Sequence, residues 1–184
     1  MAVSEGDLSK LSPEQILRIQ KQQCIFCHIV SGQVQSRKVY EDDSVLAILD
    51  INPANPGHLL LFPKEHYAIL PQIPPEIVYH LMEVSKHLSN ALIRAFNVKG
   101  TNIFIANGTA AGQKASHFMI HIIPRMPSDG ISAFSLEGKG FSEKELEGVQ
   151  SLIVQKFSEL FGRKASEPVN LDKKLVLVGK ERGA

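Results

Sequence analysis

Two histidines and a methionine alternate in the run His117-Phe118-Met119-Ile120-His121. In an extended strand alternate side chains share a face, so His117, Met119 and His121 line one side and Phe118, Ile120 and Ile122 the other. Imidazole nitrogens can bind phosphate, move a proton or ligate a metal. Just upstream, Asn107-Gly108-Thr109-Ala110-Ala111-Gly112-Gln113 is a glycine-rich loop whose backbone N–H groups can turn toward an anion. A phosphate held between this loop and the two histidines is chemistry the pattern permits. Taken alone, the same residues also fit a packed strand with hydrogen-bonded histidines beside an ordinary turn.

The chain has two cysteines, Cys24 and Cys27, spaced as C-x-x-C. In a reducing compartment such a pair more often holds metal or does redox chemistry than forms a structural disulfide. Tetrahedral zinc takes two thiolates and two imidazoles, so this pair would need two histidines from elsewhere. Cys24 to His28 also has the C-x-x-C-H form of c-type haem attachment, but no apolar export segment accompanies it.

These groups must be placed by the elements around them. Ser12-Pro13-Glu14-Gln15 offers a cap, a proline for the first turn and a capping-box partner, predicting a helix through residue 23 that leads into Cys24. Val39-Tyr40, Val45 to Leu49 and Leu59 to Phe62 are short apolar runs broken by Asp42-Asp43 and by residues 52–57, the pattern of an antiparallel meander. From Pro74, Ile77, Leu81, Val84, Leu88, Ala91, Leu92 and Phe96 recur at helical steps and define the principal helix. His80 and His87, seven apart on it, are expected to share a surface stripe. Strands are expected at 102–106 and 117–123, the second stopped by Pro124. Residues 126–140 read as a loop. Ser142 and Glu145 cap a further helix whose Leu146, Val149, Ile153, Phe157 and Leu160 would pack, and Leu175 to Val178 reads as a short terminal strand.

At 184 residues, one domain with terminal extensions is expected. A formal charge of +1 offers no broad basic surface for nucleic acid. No apolar run is long enough to span a membrane, and Glu5, Asp7 and Lys10 do not resemble a signal peptide, so the expected location is the cytoplasm.

Gly112-Gln113, three residues, His117-x-Met119-x-His121 and then Ile122-Ile123-Pro124-Arg125 resemble the signature of the histidine-triad (HIT) family with one substitution. Cys24-Ile25-Phe26-Cys27, Tyr40-Glu41-Asp42, Leu49-Asp50-Ile51, Gly57-His58 and Pro63-Lys64-Glu65-His66 resemble its other landmarks, in order. The resemblance implies an α+β, HIT-like fold: an antiparallel sheet of about five strands with a main helix, paired as a homodimer. It divides the chain into an N-terminal helical extension (1–23), a HIT domain (24–126) and a C-terminal extension (127–184). It implies a nucleotide ligand such as AMP, with Ile25, Phe26 and Ile29 lining the base pocket and Ile48 to Ile51 flanking the nucleoside. Asp50 would accept both hydroxyls of the ribose diol. Asn107, Gly112, Gln113 and Lys114 would surround the α-phosphate, with His121 facing it, and His58 would be a packing or hydrogen-bonding histidine nearby. For a structural zinc the resemblance implies Cys24, Cys27, His66 and His117.

In that family the middle histidine attacks the α-phosphorus and becomes a covalent nucleotidyl-histidine. Here the position is Met119, whose thioether has no proton to lose and would form an unstable sulfonium. Loss of a nucleophile costs on the order of 10⁴ to 10⁶ in rate. The flanking Gly112-Gln113 and Ile122 to Arg125 fix the register, and a one-residue slip would turn the histidines to the opposite face. Lys114 and Ala115 depart from the hydroxyl residue and valine common at those places. The expectation is an AMP-like nucleotide-binding protein lacking the family's covalent step. The alternative is an active phosphoramidate or dinucleoside polyphosphate hydrolase, or a nucleotidyltransferase, using His121 or an activated water.

Overall fold

β1 (Lys38–Glu41), β2 (Val45–Leu49), β3 (Leu59–Pro63), β4 (Gly100–Phe104) and β5 (Ile120–Arg125) form one antiparallel sheet in the order β1-β2-β3-β5-β4. The computed structural model describes residues 11–132 and 140–161. The chain falls into two compact units, residues 1–132 and 133–184, and the sheet belongs to the first.

β2 and β3 read as unbroken apolar runs because the sheet is covered on both faces. Val45, Ala47, Leu59, Leu61, Phe118, Ile120 and Ile122 point to one side, where Leu81, Val84, Leu88 and Leu92 of α3 (Pro75–Phe96) pack on them. Leu46, Ile48, Leu60 and Phe62 point to the other, against Ile29, Phe26 and Met119. The principal helix thus supports the sheet from behind and leaves the second face to the N-terminal segment. On that segment α1 (Pro13–Gln23) carries the expected capping box, with Gln15 N donating to Ser12 Oγ at 3.3 Å and Ser12 N to Gln15 Oε1 at 2.8 Å. α2 (Ile25–Val30) follows at once.

The strand expected at 117–123 begins only at Ile120 and continues through Pro124. The β3 ladder to β5 runs from Leu61↔Ile120 to Leu59↔Ile122, whereas Phe118 N donates to Tyr67 O. Residues 117–119 therefore keep the alternation of a strand without its ladder. Pro124 is tolerated because β3 has ended there: its carbonyl accepts from Asn55 Nδ2 at 2.9 Å, so its missing N–H faces a side with no strand. β4 likewise runs from 100 to 104 instead of 102–106, its ladder to β5 ending at Phe104↔His121.

His80 departs from the expected surface stripe. Its Nε2 lies 2.6 Å from Asp42 Oδ2, which also accepts from Tyr40 Oη at 2.7 Å, while Asp42 Oδ1 caps Ser44 N and Val45 N. These bonds tie the β1–β2 turn to α3. In the second unit, α4 (Glu143–Phe161) starts at the expected Ser142/Glu145 capping box. Leu146, Val149, Ile153, Phe157 and Leu160 are all more than a third exposed, unlike the packed face expected of them. The strand expected at 175–178 lies outside the described residues. Among the described residues, no helix is long and apolar enough to cross a membrane.

Candidate functional site

Cys24 is the one extended residue between α1 and α2, with φ −90° and ψ 114°. That break turns its side chain inward, where it is 4% exposed. One turn later, Cys27 meets the same interior. Sγ of Cys24 lies 3.4 Å from His117 Nδ1, and Sγ of Cys27 lies 3.3 Å from His66 Nδ1 and 3.8 Å from His117 Nδ1. Donor atoms of all four residues fall within 4.8 Å of one another. His117 donates Nε2–H to Pro63 O at 2.9 Å, a bond that leaves the Nδ1 lone pair aimed at the thiols. His66 Nε2 is buried without a hydrogen-bond partner among the described residues, so these do not hold this imidazole by two ordinary hydrogen bonds.

Charge state supports the same reading. Burial holds the His117 ring down to about 4, helped by His66 and opposed by the Pro63 bond; burial and Lys21 lower His66 as well. Both rings are neutral near pH 7, the form in which an imidazole can ligate a metal. Burial, then the neighbouring Cys24, pushes the Cys27 thiol up to about 12, which disfavours a bare thiolate and makes a cation its natural counter-charge. Two thiols and two neutral imidazoles fit a tetrahedral zinc of the structural kind. Phe26 and Phe62 wall the cluster, with ring centroids 5.8 and 5.5 Å from that of His117.

A second cluster lies further along the same face. His121 stands opposite Leu60 on β3 and Phe104 on β4, and its ring stacks on Phe104 at 4.5 Å and 7°. His121 Nδ1 is 3.0 Å from His58 Nε2, and His58 Nδ1 is 3.4 Å from Asp50 Oδ2. Burial, and then the adjacent His58, lower the His121 ring to about 4, with Asp50 opposing; burial also lowers His58. Both rings are neutral at pH 7. Met119 sits between the two clusters in sequence and packs against Ile29, Leu46, Ile48, Leu60 and Phe62. His117, Met119 and His121 therefore share a face as expected, although only His121 lies within a strand.

The glycine-rich loop contains a short 3₁₀ turn, Thr109–Ala111, flanked by Gly108 and Gly112 at φ +95° and +86°. Asn107 and Gln113 spend side-chain atoms on neighbouring backbone. Gln113 Oε1 accepts from Gly108 N at 2.7 Å, Gln113 Nε2 donates to Ala68 O and Ala115 O, and Asn107 Oδ1 accepts from Leu70 N. Lys114 is exposed. Among the residues expected around a nucleoside, Ile29 and Ile48 are buried, whereas Ile25 and Ile51 are exposed. Asp50 Oδ1 accepts from Asn52 N at 2.8 Å. A cavity of about 410 Å³ elsewhere, lined by Val30, Asp43, Ser44, Lys64 and Tyr67 among others, contains none of the residues expected to bind nucleotide.

The sequence puts His58 near the site, but its direct contact with His121, sixty-three positions away, rests on tertiary register. The Phe104 stack has no sequence signal either, since nothing in Asn102 to Ala106 distinguishes a ring that supports a histidine from one that fills a core. His28, the last residue of the haem-like pattern, bonds through Nε2 to the Gln22 carbonyl at 3.0 Å.

A family model described as "HIT domain" matches residues 31–128. The adenylylsulfatase HINT3 of Arabidopsis thaliana is 43% identical over 106 residues, 58% of this chain and 54% of that protein, so the match spans about half of its length. The adenosine 5'-monophosphoramidase HNT1 of Saccharomyces cerevisiae is 36% identical over 102 residues, 55% of this chain and 62% of that one. Among solved structures, a zinc-bound histidine triad family protein from Mycobacterium smegmatis superposes with a TM-score of 0.57 at 32% identity, covering 76% of this chain and 99% of the other.

Proposed function

The chain belongs to the HIT domain family, and on that premise we propose that it binds a purine nucleotide such as AMP without the family's covalent step. The observation that carries this reading is the state of the shared face: Asp50, His58 and His121 form an intact neutral-imidazole cluster, while residue 119 is a methionine packed into the apolar layer beside it. The relatives named for adenylylsulfate and adenosine monophosphoramidate support an adenylate ligand. Phe26 and Ile29 would take the base, Asp50 the ribose, and His121 the phosphate. Gln113 and Asn107 would act by bracing the loop, leaving its backbone N–H groups and the Lys114 ammonium for the anion. Calorimetric titration with AMP tests the binding half, and no detectable heat or stabilisation at millimolar AMP would refute it.

Cys24, Cys27, His66 and His117 would hold a structural zinc, which when bound supplies a cross-link between the N-terminal segment and the end of β3. His117 thereby belongs to the scaffold, not to phosphate chemistry. The domain would span residues 24–126, with 1–23 and 127–184 as extensions, and a homodimer in the cytoplasm is the proposed working form. One observation favours the alternative of a working hydrolase: the neutral His58–His121 pair beside Asp50 could accept a proton from an attacking water. Turnover that survives loss of every other nucleophile but falls in His121→Ala would favour it.

A further inference from the structure

We propose that Asn55, held by Asp129 and Arg125, is a positioning residue that fixes the proton of the His58–His121 pair, so that His121 presents Nε2–H as a donor. Neutral imidazole has two tautomers, and the one present is set by the bond at its other nitrogen. Ala54 N–H points at His58 Nδ1 at 3.2 Å. A backbone N–H can only donate, so Nδ1 must be the bare nitrogen and His58 carries its proton on Nε2. That proton is given to His121 Nδ1, 3.0 Å away, which must then be bare in turn. The His121 proton is left on Nε2, which has no partner among the described residues. Asp50 Oδ2 opposes this order weakly. At 3.4 Å from His58 Nδ1 it lies beyond the usual 2.7–2.9 Å of a charge-assisted bond.

The sequence of protons therefore depends on where Ala54 N–H points, and the loop carrying it is pinned from both sides. Asn55 is 7% exposed and spends Nδ2 on Asp129 Oδ2 and Pro124 O, each at 2.9 Å. Its carbonyl accepts from His58 N at 3.0 Å, closing the turn that delivers the histidine. Asp129, 5% exposed at its side chain, receives Arg125 Nε at 2.7 Å, Arg125 Nη2 at 2.9 Å, Met126 N at 3.2 Å and Ile131 N at 3.1 Å. The same guanidinium bonds Asn102 and Ile131 O. On the other side Gly57, at φ +90°, lies against the Phe96 ring, where a Cβ would come within 2.6 Å. None of these groups is expected to touch a ligand; they act through Ala54.

Long-range proton–nitrogen NMR of the histidine rings tests this in the full-length protein, in Asn55→Ala and in the shape-preserving Asp129→Asn. The wild type should show a single tautomer at His121, protonated on Nε2 and bare on Nδ1. Both variants should show a mixture, with AMP bound up to about tenfold more weakly, the worth of one neutral hydrogen bond. A His121 proton on Nδ1, or a mixture already in the wild type, overturns the proposal. So does a single unchanged tautomer in folded variants, and unfolding of both would make the clamp structural only. The affinity arm rests on the proposed nucleotide reading. A wild type with the Nε2–H tautomer but no AMP binding removes that reading and leaves the positioning role standing.

Discussion

His58, just before β3, and His121 of β5 meet through Nε2 and Nδ1 at 3.0 Å, two neutral imidazoles sharing one proton. Burial forces this sharing, because two imidazolium rings at that distance would repel in a poorly solvated site. On the proposed reading, the same contact would let His121 offer a ligand a hydrogen-bond donor without full charge.

Stability should therefore fade in mild acid. The unfolded chain takes protons on these histidines near pH 6.5, whereas folded His117 and His121 resist until about 4. Between those values the unfolded state binds more protons, so stability rises with pH across the window: it is complete above about 6.5 and is lost as pH falls toward about 4. The urea midpoint of metal-free protein should be lower at pH 5 than at pH 7.5. Equal midpoints would contradict the burial argument.

Freshly purified protein should carry about one zinc per chain by elemental analysis, and chelation should lower the melting temperature by several degrees. Because the Cys27 thiol is pushed up by burial and by Cys24, reloading the chelated protein should release protons that an indicator dye can count. Cys24→Ser and His117→Ala should abolish both effects. Absence of zinc together with no thermal shift on adding it would remove the site.

Asp50→Asn should weaken AMP by roughly ten- to a hundredfold, the range for hydrogen bonds to a charged acceptor. The wild type should lose comparable affinity for an AMP analogue lacking the ribose 2' and 3' hydroxyls, and the variant should lose little more. Additive losses would mean that Asp50 does not meet the ribose.

Gly57→Ala should destabilise the protein by about 1–3 kcal/mol, because the new methyl would both collide with Phe96 and hold a strained left-handed backbone. Denaturant unfolding reads this directly. A neutral result would show that the loop is looser than its packing against α3 implies.

Much of this architecture is legible in the residues. Ser12 and Gln15 announce α1, the runs at 45–49 and 59–63 announce two central strands, and the alternation at 117–122 separates site-facing from core-facing side chains whether or not a ladder forms. What is hidden depends on pairing between distant segments. Pro124 reads as a strand stop until β3 is seen to end beside it. His80 reads as a surface histidine until the β1–β2 turn brings Asp42 to it. Asn55 and Asp129 stand seventy-four positions apart, and no local pattern joins them. The four Cys and His residues come together only through the family resemblance; their spacing alone gives the thiol pair but not which histidines complete it.

If residue 119 separates binding from turnover, restoring a histidine there must restore turnover. Wild type and Met119→His are given adenosine phosphoramidate under conditions where both bind AMP, and AMP release is followed. The wild type should bind without turnover, and the variant should gain at least about a thousandfold, toward the rate a nucleophile contributes. Efficient release by the wild type, with no gain on restoring the histidine, would contradict that separation.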